Sequence, residues 1–279
     1  MKLSGVMPIH NEEAYLPYSL HALRKASINE LVIVLDRCTD KSESIIQKFA
    51  RLTPYPVKII KKSTSTWRNP GSEAFELGIK HSSGDIIYVI GADLLCDHRI
   101  FDRSLWEDET IGTLSFRYWH YQLYGNLWER IHPIYENILM KVLSDISPYK
   151  QNYHSGLYAC RSEVWDKIHL KDVPSEYDVF LKDVQHLLIK GKSKVPVQYD
   201  DFLERTSRFY KHRFIMNVNN IHLRAGLTRS RQILQGISRF YSGYPLWKVI
   251  AHMLLHLKLY VFWSYWKTKK GVMFTKWKK

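Results

Sequence analysis

Acidic residues vanish from the last quarter of the chain. From Arg205 to Lys279 there are sixteen Lys and Arg and no Asp or Glu. The preceding 204 residues carry 25 basic and 27 acidic side chains, so the net +14 belongs to the C-terminal segment. Such a segment seeks a polyanion: a membrane surface, a phosphorylated lipid or a nucleic acid. No RNA- or DNA-binding motif accompanies the charge, so a nucleic-acid partner is not expected. Cysteine is scarce. Cys38, Cys96 and Cys160 form an odd, widely spaced set, which excludes a disulfide framework and zinc-ligand spacing and suits a reducing compartment. Nothing repeats at a fixed period, which excludes solenoids and propellers. The opening MKLSGVMPIHNEE lacks the apolar run of a signal peptide. What is present, 45% hydrophobic and 24% charged residues over 279 positions, is the balance of a globular protein and fits one large α/β unit.

The first hundred residues alternate strand and helix signals. Leu3 to Pro8 is a short apolar run, followed by helical spacing of Leu16, Leu20 and Leu23 between Glu12 and Lys25. Leu31 to Leu35 is continuous and β-branched, as a strand buried on both faces reads. Thr39 or Asp40 can cap the next helix, which carries Ile45, Ile46 and Phe49. Val57 to Ile60 reads as a strand, Ser72 to His81 as a helix, and Asp85 to Ile90 as a strand broken by Gly91. This alternation predicts a mostly parallel sheet with helices on both faces. Further on, Ile111 to Phe116, His154 to Cys160 and Ser193 to Tyr199 have strand character. Gln122 to Ser144 and Val179 to Lys190 have helical character. No Gly/Pro/Ser-rich linker separates these parts.

In open parallel sheets, ligands sit outside the carboxyl ends of the strands. Four such ends are polar here: Pro8, His10, Asn11, Glu12 and Glu13; Asp36, Arg37 and Asp40; Trp67, Arg68 and Asn69; Asp93 and Asp97. Converging acids suit a divalent cation, or hydrogen bonding to a base and ribose. Asp40 reads as a helix cap, while Asp36 and Asp93, placed just after buried strands, read as functional.

Three blocks in this order resemble family-2 glycosyltransferases: VMPIHNEEAYLPYSLHAL, LVIVLDRCTDKSESII and NPGSEAFELGIKHSSGDIIYVIGADLLCD. The resemblance covers about residues 3 to 100. It implies a GT-A fold, in which a Rossmann-like sheet binds a sugar nucleotide beside an acceptor-binding half. Residues 1–100 would form the donor half, 101–204 the acceptor half, and 205–279 a basic helical region. Pro8, Asn11 and Glu12 would line the nucleoside pocket with Arg68, and Asp36 would hydrogen-bond the base. Asp93 matches the last aspartate of D-x-D, which binds Mn²⁺ or Mg²⁺ on the donor diphosphate. Gly91 stands where the first aspartate belongs. Compared with the D-A-D-L-Q-H of dolichol-phosphate mannose synthases, this chain reads GADLLC. Asp97 and His212 are further candidate ligands. SEYDV, residues 175–179, resembles the E-D-x-D-L block, and aligned on Asp178 it makes Glu176 the acceptor base.

Pro245 to Trp266 spans 22 residues, long enough to cross a bilayer, but Lys248, His252, His256 and Lys258 fall within one side of it. Lysines are costly at a bilayer centre, so a helix lying in the interface is the better reading. Its aromatic residues and the lysines that follow suit anionic headgroups. The expected protein is a glycosyltransferase acting, with inversion, on a lipid-linked or membrane-held acceptor, peripheral to the cytoplasmic face. The alternative is a nucleotide-binding or scaffolding GT-A-like protein without turnover.

Overall fold

A computed structural model describes residues 1–65, 70–125, 127–145, 157–168, 211–224, 232–233, 235–236, 239–240 and 244–270. The first half alternates as its periodicity predicts. Strand β1 (Leu3–Ile9) leads to α1 (Leu16–Leu23), β2 (Glu30–Asp36) to α2 (Ser42–Ala50), and β3 (Val57–Lys62) to α3 (Pro70–Lys80) and β4 (Ile86–Ile90). These strands pair in parallel in the order β3-β2-β1-β4, with Val6 opposite both Val32 and Val89. Every residue of β4 and all of β2 after Glu30 are buried, which is why both read as unbroken apolar runs.

The two-residue β5 (Leu94–Leu95) follows β4, and β6 spans Ile111–His120. Helix α4 covers Leu127–Asp145, then come β7 (Leu157–Arg161), α5 (Ser162–Ile168) and β8 (Lys211–His222). The sheet continues β4-β7-β6-β8-β5. Strand β7 is antiparallel to both β4 and β6, while β8 runs parallel to β6 and antiparallel to β5. Strand β8 lies within the region that the sequence suggested was helical. Its mixture of lysine, arginine, histidine and asparagine hides the strand pattern, yet Val218 and Asn220 are buried within the sheet. Tyr88 fixes the middle of the core. Its hydroxyl donates to the Ile100 carbonyl at 2.8 Å and accepts from Trp106 Nε1 at 3.0 Å.

The stretch from Pro245 to Trp266 is two helices, α6 (Leu246–His256) and α7 (Leu259–Lys269). Leu257 breaks them in a left-handed conformation, φ 52°. Lys258 then turns inward to meet Glu136 of α4 at 3.3 Å. That carboxylate also accepts from His256 Nδ1 at 2.6 Å. His252 stacks on His256, with ring centroids 4.2 Å apart. Of the four polar residues that fall within one side of this stretch, His252, His256 and Lys258 face protein. Among the described residues, no helix is long and apolar enough to cross a membrane.

Candidate active site

The sheet brings the expected acids to one edge. Asn11 and Glu12 follow β1, Asp36 ends β2, and Asp93 lies three residues past β4. Two of the turns are clasped together. Glu13 N donates to Asp40 Oδ2, and Lys41 N donates back to Glu13 Oε2, each at 2.9 Å. Asp40 Oδ1 also accepts from Ser42 N at 3.0 Å, so Asp40 is a structural cap as its position suggested. Asn11 and Arg37 both have left-handed backbones, φ 54° and 52°. For Arg37 such a conformation costs about 1–3 kcal/mol and persists only where surrounding contacts impose it, a pattern concentrated at ligand sites. Asn11 tolerates it more readily and uses its side chain to accept from Thr39 N at 2.8 Å.

Asp36 is 2% exposed and densely bonded. Its Oδ1 accepts from Arg37 Nε at 2.9 Å and Lys62 Nζ at 2.8 Å, and Oδ2 from Arg37 Nη2 at 3.0 Å. Burial alone would raise the carboxyl pKa, but the bonds from Arg37 and Lys62 prevail and hold it below the ordinary value. Lys62 also lies 3.0 Å from Glu73 of α3, tying this edge to the helix layer.

The other end of the site is built by β8. Leu94 and Leu95 pair with His222 and Ile221, and Leu223 N donates to the Asp93 carbonyl at 2.8 Å. This places Arg224 between two carboxylates. Its Nε donates to Asp93 Oδ2 at 2.9 Å and its Nη2 to Glu12 Oε1 at 2.7 Å. The guanidinium also sits 5.2 Å from the centroid of the Tyr15 ring. Burial would depress the Arg224 pKa, but Asp93 and Glu12 outweigh it and raise the pKa. His222 Nε2 lies 3.3 Å from the same Asp93 oxygen.

The other proposed ligands do not join this group. Asp97 accepts from Arg99 and from Asn219 N at 2.8 Å, pinning the turn after β5 to β8. His212 is bonded to Thr113 and Ser115 across β6 and β8, and burial pulls its pKa down to about 4. Gly91 offers no side-chain oxygen, and a Cβ there would start 3.0 Å from Asp93 Oδ1. Around Asp93 stand His222, the Arg224 guanidinium and the Glu12 carboxylate that shares that guanidinium, and among the described residues no three His, Cys, Asp or Glu side chains are grouped to hold a metal ion. That donor set does not fit a divalent cation, which takes several oxygens and is repelled by a fixed positive charge. Arg68 and Glu176 lie outside the described residues.

The family model described as glycosyl transferase family 2 matches residues 4–148. This chain belongs to that family. A dolichol-phosphate mannosyltransferase of Pyrococcus furiosus is 27% identical over 207 residues, covering 70% of this chain and 54% of its own length. A prophage bactoprenol glucosyl transferase homolog of Escherichia coli is 36% identical over 100 residues, covering 34% of this chain and 31% of its own length. The matches thus span about half or less of these curated relatives. Residues 1–349 of Staphylococcus aureus TarS overlay with a TM-score of 0.52 at 14% identity, over 86% of this chain and 65% of that one. The overlay agrees with the expected GT-A fold of a family-2 glycosyltransferase. The sequence pointed to Pro8, Asn11, Glu12, Asp36 and Asp93, and the fold gathers them at one edge. It did not single out Arg224 from the other basic residues of the last quarter, because the pairing that selects it spans 131 positions.

Proposed function

We propose that this family-2 glycosyltransferase moves a sugar from a nucleoside-diphosphate-sugar to a lipid-linked acceptor held at an anionic membrane surface, with inversion at the anomeric carbon. The observation that carries the reading is the convergence of Glu12, Asp36, Asp93 and Arg224 at the carboxyl ends of β1, β2 and β4. Asp36 has about four lone-pair positions, and three are used by Arg37 and Lys62. The fourth accepts an N–H of the base, while Pro8, Asn11 and Glu12 floor the nucleoside pocket, and Arg68 is a further donor-binding residue on this reading. In the transfer, an acceptor oxygen bonds to the anomeric carbon as the bond to the diphosphate oxygen breaks. A hydroxyl acceptor gives its proton to Glu176; a phosphate acceptor needs no base. The leaving group is the nucleoside diphosphate.

The lipid-linked acceptor is supported by the bactoprenol and dolichol-phosphate relatives. The membrane surface is supported by which side of the helices faces out. Trp247 and Leu254 of α6, Leu259 of α7 and Ile138 of α4 are each at least 60% exposed. Lys267, Lys269 and Lys270 are interleaved with exposed Trp263 and Trp266, the pairing that suits a headgroup layer. The protein on this reading is peripheral, at the cytoplasmic face.

The test is release of nucleoside diphosphate from UDP-, GDP- and dTDP-sugars, with and without a polyprenyl-phosphate extract. Turnover of one donor that rises with the extract is the expected result. Nucleotide binding without turnover of any donor would leave the non-catalytic reading in its place.

A further inference from the structure

Resting on that reading, we propose that the Arg224 guanidinium, braced between Glu12 and Asp93, supplies the positive charge on the donor diphosphate, so that binding and transfer proceed without a divalent ion. A guanidinium has five N–H donors. Asp93 takes one and Glu12 another. Nη1 makes no hydrogen bond among the described residues, and the side chain is 28% exposed. Three donors therefore remain for phosphate oxygens, which a planar fork meets two at a time.

The bracing has a mechanical purpose. Arginine is long and loses rotamer freedom when it binds. Here the two carboxylates, the Tyr15 ring and the backbone bond from Leu223 to Asp93 fix it before a ligand arrives. A preplaced donor costs little reorganisation as charge builds on the leaving oxygen. The same geometry accounts for Gly91. With the cation carried by the chain, a second carboxylate at 91 has no metal to hold, and it would crowd Asp93 Oδ1. Asp93 is thus a positioning residue for Arg224.

The experiment is calorimetric titration of the full-length protein with UDP, GDP and dTDP, in chelator and in Mn²⁺ or Mg²⁺, with melting temperature recorded for each variant. The expected result is wild-type affinity in chelator within about threefold of that with metal. Arg224→Ala should weaken binding in chelator by about 30-fold, the usual loss for a charged hydrogen-bond donor. Arg224→Lys keeps the charge without the fork and should recover part of that loss. Asp93→Asn loosens the brace on the arginine and should weaken binding by the same factor in chelator and in Mn²⁺, whereas a metal ligand would weaken it only where metal is present. Binding that collapses in chelator and returns with Mn²⁺ would overturn the proposal and leave the donor site standing. So would an Arg224→Ala variant that melts earlier but binds as wild type does. No binding of UDP, GDP or dTDP under any condition would remove the donor site itself, and the proposal with it.

Discussion

Around β1, β2 and β4 the protein hides leucine, isoleucine and valine and brings its carboxylates to the strand ends, whereas α4, α6 and α7 hide Glu136, Lys258, His132, His252 and His256 and turn isoleucine, leucine and tryptophan outward. The two regions meet in one chain with opposite logic. The sheet draws its stability from apolar burial, which is non-directional and adds with area. The helical layer adds to a small apolar cluster of Val249, Val261 and Tyr265 an ion pair whose desolvation offsets much of its attraction. Such a pair is better at fixing where helices sit than at holding them there. A layer built this way is suited to a second apolar phase on its outer side, which is what the membrane reading supplies.

The largest effect expected comes from breaking the pair. Glu136→Ala leaves the Lys258 ammonium buried without its carboxylate and should cost about 3–5 kcal/mol in chemical denaturation. Glu136→Leu with Lys258→Met should return to within about 1 kcal/mol of the parent, as replacement of a buried pair by apolar side chains commonly does. A loss under about 1 kcal/mol for Glu136→Ala would mean that the layer is not organised around its charges. Next, Leu31→Ala near the start of β2, where Leu31 is fully buried, should cost about 2–5 kcal/mol by the same method.

Acid should separate the regions by degree. Burial lowers the pKa of both His132 and His252, and neighbouring cationic groups lower that of His252 further. A histidine whose folded pKa lies below its unfolded value contributes fully above about 6.5 and loses that contribution as pH falls beneath it. In the sheet, burial lowers the pKa of His212 in the same way, with a window from 6.5 to about 4. Glu136 opposes the trend. Burial would raise its pKa, but the His256 bond and Lys258 charge hold it at about 2, so its contribution to stability is complete above about 4.5 and is lost only as pH falls from there toward 2. Thermal melts at pH 7.5 and 5 should therefore show lower stability at pH 5, and His252→Phe, which cannot charge, should reduce the difference. The smallest change in stability should be that of Leu254→Ala, under about 0.5 kcal/mol because the side chain is 63% exposed. The same variant should weaken binding to anionic vesicles by about fivefold. A stability loss comparable to that of Leu31→Ala would show that α6 has an apolar protein partner instead.

The same contrast governs what could be read from the residues alone. Strands β1, β2 and β4 were legible because burial on both faces leaves an unbroken apolar run, and their terminal acids followed from the way ligands sit on parallel sheets. The break between α6 and α7 was not legible. Leu257 and Lys258 continue the helical pattern locally, and it is a carboxylate 122 positions earlier that draws Lys258 inward. Strand β8 was hidden for a related reason. Its basic and amide side chains make their contacts with β6 and with the turn after β5, so no local apolar alternation announces it.

Arg224 follows β8, and Asp93 precedes it by 131 positions. A ribosome adding roughly 5–20 residues per second needs roughly 7–26 s to cover that distance. Throughout that interval the emerging chain has both acids of the pocket edge and no cation between them. A nascent chain therefore gains a finished diphosphate cradle late in its synthesis, when β8 docks and delivers the arginine.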